Sequence, residues 1–261
     1  MLISQALQAA ENKPLFSIQP LALIYQHLLP DESMPPEVLL SGQKNSHDYQ
    51  LSVEDLQKLT RHHEFYWLGR EANLKAVSTV LKSDSWLLLD SNQAHAWLAP
   101  ESLIQLSKQM SVALQKKYPQ QTEQILANEA RLKQQLKIFF DQQINRFEPL
   151  QQQGLLLGHD AFLPFSHALG LKHIELYRSG HSHGHKSDGM ADLMHLQQQI
   201  KEGNLVCAVE EPDISFVQLQ ERFPHLHRVA LDPMANAFSS LLVFLQSTAD
   251  NLYVCLQKDK L

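Results

Sequence analysis

Apolar residues between Ile125 and Phe147 recur every three or four positions: Ile125, Leu132, Leu136, Phe139 or Phe140, Ile144 and Phe147. Gln, Lys and Glu fill the positions between them, which is the period of one stripe on a helix. Pro119 suits a first helical turn, and neither glycine nor a further proline interrupts the chain before Pro149. We read 119–148 as one spine helix of about 28 residues, roughly 40 Å long, which is more than a single small lobe needs.

Short apolar runs alternate with helical spacing on both sides of this spine. Before it, strands are expected at Pro14–Gln19, Pro36–Leu40, Glu64–Leu68 and Trp86–Leu89. Helices are expected at Leu21–Leu29, from Ser52 with Asp55 as a capping pair, at Glu71–Leu81 and at Glu101–Lys117. After the spine, strands are expected at Leu155–Leu157, His173–Tyr177, Leu205–Val209 and Arg228–Leu231. Helices fall at Phe162–Leu169, Met190–Lys201 and Phe216–Phe223, and a closing helix begins within Phe238–Leu245. Strand–helix alternation implies parallel sheets. The expected architecture is α/β: a lobe over 14–118, the helix over 119–148 and a second lobe over 149–261. Parallel sheets bind ligands beyond the carboxyl ends of their strands, which directs attention to a cleft between the lobes.

Composition narrows the function. Apolar residues make up 44% and charged residues 19% of the 261, as in an ordinary soluble protein. The net charge of −6 gives no reason to expect a nucleic-acid partner. Fourteen histidines are the outlier and point toward metal chemistry. No apolar run approaches the roughly 20 residues of a membrane span. Met1–Lys13 lacks the basic and apolar regions of a signal peptide, so an exported protein would have had its signal removed. Cys207 and Cys255 are the two cysteines, able to bridge in an oxidising compartment or to stay as thiols.

Three histidines stand beyond expected strand ends. His159 follows LLLG, His95 comes just past WLLLD, and His47 lies in the polar turn NSHDY after EVLL. No local zinc-finger or HExxH spacing links them, so spacing alone leaves each open as a loop residue. His62, His63, His167, His225 and His227 read as structural or surface residues.

The motifs SHDYQLSVEDLQKL with FYWLG, AHAWLAPE, GHDAFLPF with GLK, VCAVEEP and ALDPMAN occur in this order from about Leu15 to Leu256. Together they make the chain resemble the zinc-binding substrate-binding proteins of bacterial ABC importers, the ZnuA-like group. The resemblance implies two Rossmann-like lobes joined by a long helix, and places metal ligands on His47, His95 and His159. Three neutral imidazoles leave a tetrahedral fourth position open, and an all-nitrogen set favours Zn²⁺ over harder ions. Asp232 matches a position from which some relatives supply a carboxylate, and otherwise caps a turn. Some zinc members carry an acidic residue where this chain has Ser46, so Asp232 or solvent is left to complete the shell. Asp160 is expected beside the ligands or as a cap, and Glu210 and Glu211 as cleft-lining residues or a solvated turn. His181, His183 and His185 form a short run, either an auxiliary metal site or a polar loop. The resemblance also implies a Cys207–Cys255 disulfide.

The expected function is a monomeric periplasmic protein, not an enzyme, that captures Zn²⁺ and delivers it to an inner-membrane ABC permease. Its affinity should fall as pH drops through the histidine range, because protons compete for imidazole. The alternatives are a manganese or iron carrier of the same fold, a zinc-dependent hydrolase, and a zinc buffer without a transporter.

Overall fold

The computed structural model describes residues 13–29, 36–41, 49–69, 74, 77–78, 86–89, 95–177, 189–212 and 214–257, apart from the side chains of 86 and 189–192. His47, Ser46 and the histidines at 181, 183 and 185 lie outside these residues. Among the described residues no helix is long and apolar enough to cross a membrane.

Two α/β lobes, each with a four-stranded parallel sheet, are joined by a long helix. The first compact unit draws on residues up to Trp97, Glu101–Leu136 and Met234–Leu241. The second draws on Leu98–Pro100, Lys137–Pro233 and Leu242 onward.

In the first unit, β1 (Leu15–Ile18), β2 (Glu37–Leu40), β3 (Phe65–Trp67) and β4 (Trp86–Leu88) pair in the order β2-β1-β3-β4. β1 is fully buried, as a central parallel strand with continuous apolar character should be. Its Phe16 stacks on Tyr66 with ring centroids 4.9 Å apart, and Tyr25 of α1 (Gln19–Leu28) closes the cluster at 5.1 Å from Phe16. α2 (Val53–Arg61) opens with the expected capping box: Ser52 Oγ accepts from the Asp55 amide and Asp55 accepts from the Ser52 amide. α3 (Pro100–Lys117) follows the sheet. Of the expected helix at Glu71–Leu81, only 74 and 77–78 are described, all helical.

The spine is α4 (Thr122–Phe147), flanked by 3-10 turns at Pro119–Gln121 and Glu148–Leu150. Ile125, Leu132, Leu136, Phe139, Phe140 and Phe147 are buried as expected, but Ile144 is not: it is 40% exposed. Two amides complete the buried stripe instead. Asn128 donates to the Leu28 carbonyl at 3.0 Å, and buried Gln143 accepts from Arg146 at 3.3 Å. Arg146 also pairs with Asp250 and lies over the Tyr253 ring, 4.1 Å from its centroid. Both partners stand on α8 (Leu241–Gln257), the closing helix. α8 starts three residues later than Phe238, because Ala235 has φ 55° and the Phe238 amide closes a turn on the Ala235 carbonyl.

In the second unit, β5 (Gly154–Leu157), β6 (His173–Leu176), β7 (Cys207–Glu210) and β8 (His227–Ala230) pair in the order β6-β5-β7-β8. α5 (Leu163–Ala168), α6 (Gly189–Lys201) and α7 (Val217–Arg222) fall between the strands. Leu156, Leu196, Ile200, Leu205, Ala208, Phe216 and Leu226 form a core cluster. Cys207 and Cys255 are bonded, with Cα atoms 5.6 Å apart, tying β7 to α8.

Candidate metal centre

Strand order sets where the second unit offers a site. The chain steps from β5 to β6 on one side, then returns to place β7 on the other, so the direction reverses between β5 and β7. Loops leaving the carboxyl ends at such a reversal diverge and leave a crevice. Leu157 pairs in register with Val209, and Glu210 with Ala230, so β5, β7 and β8 end along one edge. His159, Glu211 and Asp232 are each one or two residues beyond those ends.

His159 has extended backbone, φ −153° and ψ 165°, immediately before a 3-10 turn at Asp160–Phe162. Ala161 and Phe162 are buried and anchor that turn, while the imidazole stays 29% exposed. Its Nε2 lies 3.0 Å from Asp160 Oδ1 and its Nδ1 lies 3.4 Å from Glu211 Oε2. Two carboxylates therefore face the two ring nitrogens from opposite loops.

The two glutamates after β7 divide the work. Glu210 Oε1 accepts from Arg228 Nη1 at 2.7 Å, from Ser215 Oγ at 3.0 Å and from the Phe216 amide at 2.5 Å. Burial would raise this carboxyl, but the bonds from Arg228, Phe216 and Ser215 outweigh it and hold it below the usual carboxylate range. Glu210 is thus a structural clasp for the following loop. Glu211 exchanges backbone hydrogen bonds with Ile214, and its side chain, 8% exposed, turns to His159. The solvated-turn reading of this pair gives way, since both side chains are largely buried.

Asp232 is half-buried in the loop after β8. His225 Nε2 lies 2.6 Å from the Ile200 carbonyl, and buried His62 meets the Lys13 carbonyl and Glu37, so both serve structure.

In the first unit, His95 stands beyond β4, before a 3-10 turn at Ala96–Leu98 whose three residues are all buried. It adopts φ 55°, a left-handed conformation uncommon for side-chain-bearing residues and costing about 1–3 kcal/mol. The ring is 5% exposed and meets Trp97 edge-on at 5.3 Å between centroids. A strained backbone held by buried neighbours fixes where this imidazole points. Within the second unit, His159 and Asp160 are neighbouring donors suited to a metal ion.

The approach of Glu211 to His159 is the contact that motif reading did not specify. The signal was present, since VEEP ends an apolar strand just as GHD does, and the carboxyl-end rule applies equally to both.

Comparison with known proteins agrees with this architecture. The high-affinity zinc uptake system protein ZnuA of Yersinia pestis is 22% identical over 312 aligned residues, covering 98% of this chain and 95% of that protein. A crystal structure of a ZnuA deletion mutant with zinc bound matches with a TM-score of 0.73 at 19% identity, over 93% of this chain and 96% of that one. FpvC from Pseudomonas aeruginosa, solved with Mn²⁺, matches equally with a TM-score of 0.73 at 12% identity, over 95% and 99%. These two likenesses are of fold, and the fold alone does not choose the ion. The family model described as zinc-uptake complex component A, periplasmic, matches residues 15–252. The chain belongs to this ZnuA family of periplasmic metal-binding proteins, which serve ABC transporters and are not enzymes.

Proposed function

We propose that this protein captures Zn²⁺ with His47, His95 and His159 and hands it to an inner-membrane ABC permease. Asp232 or solvent supplies the fourth ligand, and the protein acts as a periplasmic monomer. The observation that carries this reading is the His159 imidazole, partly open and held at the strand-order reversal of the second sheet. His95, fixed by a strained left-handed backbone, supports it as a second nitrogen donor. Imidazole nitrogens suit zinc better than ions that prefer oxygen. His181, His183 and His185 serve at most as an auxiliary capture site.

A manganese or iron carrier is the competing reading, because a Mn²⁺-bound protein shares the fold equally well. One titration separates them. Purified protein is titrated with zinc in the presence and absence of excess Mn²⁺, alongside His47→Ala, His95→Ala, His159→Ala and Asp232→Ala. The expected result is one tight zinc per chain, indifferent to Mn²⁺ and severely weakened in each histidine variant. Displacement of zinc by Mn²⁺ would select the other carrier. Unchanged zinc binding in all three histidine variants would reject the site and move attention to the 181–185 run.

A further inference from the structure

We propose that the first unit holds a small-molecule site under the carboxyl half of α3, suited to a short-chain carboxylate. None of its residues is among those assigned to the metal, and it stands independently of the zinc reading.

Helical period and strand register build the cavity. Gln109, Val112, Ala113 and Lys116 stand at i, i+3, i+4 and i+7 of α3, so they form one stripe. Tyr66 of β3 and Leu87 of the edge strand β4 are register partners, so their side chains share one face of the sheet. The stripe meets these two residues around a cavity of about 290 Å³, which Glu64 also lines. Glu64 stands just before β3, at the amino-terminal end of the parallel strands, whereas the proposed metal ligands follow carboxyl ends. The volume lies at the small end for ligand pockets, which admits only a small guest.

The charges on this cavity select the guest. Tyr66 is 1% exposed and donates its hydroxyl to one oxygen of Glu64, while Lys117 donates to the other. Burial would lower the Lys117 ammonium, but Glu64 outweighs it and holds the group above the usual lysine range. Burial and Glu64 together push the Tyr66 hydroxyl up, which keeps it a donor. Each oxygen of Glu64 thus already has its donor, and a cationic guest would gain little from it. Lys116 also lines the cavity and has no ion-pair partner among the described residues. The ammonium groups of Lys116 and Lys117 against the single carboxylate of Glu64 leave one positive charge in excess. Leu87, Val112 and Ala113 supply apolar wall. The matching guest carries one carboxylate, paired with Lys116, on a short apolar chain that covers this wall.

Hexanoate is the probe, titrated into the full chain beside hexanol, hexylamine and acetate. Methyl ¹H–¹³C NMR follows the signals of Leu87 and Val112. Hexanoate should shift both saturably, about fivefold more tightly than hexanol, and added salt should weaken it. Hexylamine and acetate should each bind more weakly than hexanoate. Lys116→Met should reduce hexanoate to the level of hexanol. Val112→Glu, which sets a carboxylate against the guest, should abolish binding as read at Leu87. Val112 is 45% exposed and Lys116 is exposed, so both variants should keep a urea midpoint near wild type. Absence of saturable shifts in the wild type overturns the site, whether or not the variants fold. Hexanol or hexylamine bound as tightly as hexanoate overturns the carboxylate, and acetate bound as tightly overturns the apolar wall. Hexanoate binding unchanged in either folded variant puts the guest elsewhere and overturns the proposal.

Discussion

Ile214 packs so closely over Gly158 that a methyl group on Gly158 would lie 2.5 Å from Ile214 Cγ2. The same glycine donates its amide to Val209 and precedes His159, so the contact joins the β5 and β7 loops. Gly158→Ala should cost about 1–3 kcal/mol, because β-branched Ile214 has little rotameric freedom to give way. Adding Ile214→Ala should recover part of the loss, a coupling that denaturant unfolding of the double-mutant cycle measures. Wild-type stability in Gly158→Ala would show that the loop yields freely.

Acid should loosen the clasp after β7. Glu210 titrates below its ordinary value of 4.5 in the folded protein, so its contribution is fully present above about that pH. It is lost as pH falls through the depressed folded value. Glu210→Gln should therefore destabilise by about 1–2 kcal/mol at neutral pH, since hydrogen bonds to charged groups are the stronger ones. The gap to wild type should close in strong acid. Urea unfolding across pH checks this, and a gap independent of pH would place the effect outside Glu210 ionisation.

Removing the disulfide should be costly at equilibrium. It closes a separation of 48 residues, and the chain-entropy estimate gives about 3–4 kcal/mol for such a loop. Cys207→Ala with Cys255→Ala should shift the denaturant midpoint accordingly, while the oxidised wild type should be unaffected by the same assay at low reductant. A midpoint unchanged in the double variant would contradict this.

Asn128 offers a local test of the spine. It is 6% exposed and its amide donates to the Leu28 carbonyl. Asn128→Ala leaves that carbonyl unmatched and should lower stability by about 1–3 kcal/mol. Thermal unfolding reads the loss, and a melting temperature equal to wild type would mean that water replaces the amide.

Hydrophobic period and capping chemistry made much of the fold legible. Ser52 with Asp55 marked the start of α2, and the stripe from Ile125 to Phe147 marked α4, because both signals are local. The same stripe misled at Ile144, where Gln143 is the buried residue. Hydrophobicity alone cannot foresee an amide whose partners, Arg146 and Gln246, satisfy it after folding. The start of α8 was likewise hidden, since a left-handed alanine at 235 has no sequence signature. His95 and His159 drew attention by their place after strands, and the family resemblance then proposed them as ligands. The approach of Glu211 to His159 required knowing that β5 and β7 are neighbours, and pairing across intervening strands is a tertiary fact.

Gln19 on α1 donates to the Phe238 carbonyl across a sequence separation of 219. Phe238 lies in Met234–Leu241, the last piece of the first unit, which leaves the ribosome only after β8 has been made. Domains tend to fold in the order of their synthesis. Here the amino-terminal unit is the exception: it stays incomplete through synthesis of every strand of the other unit. The late segment acts as a keystone, and a chain interrupted just before residue 234 would leave its oldest part unfinished.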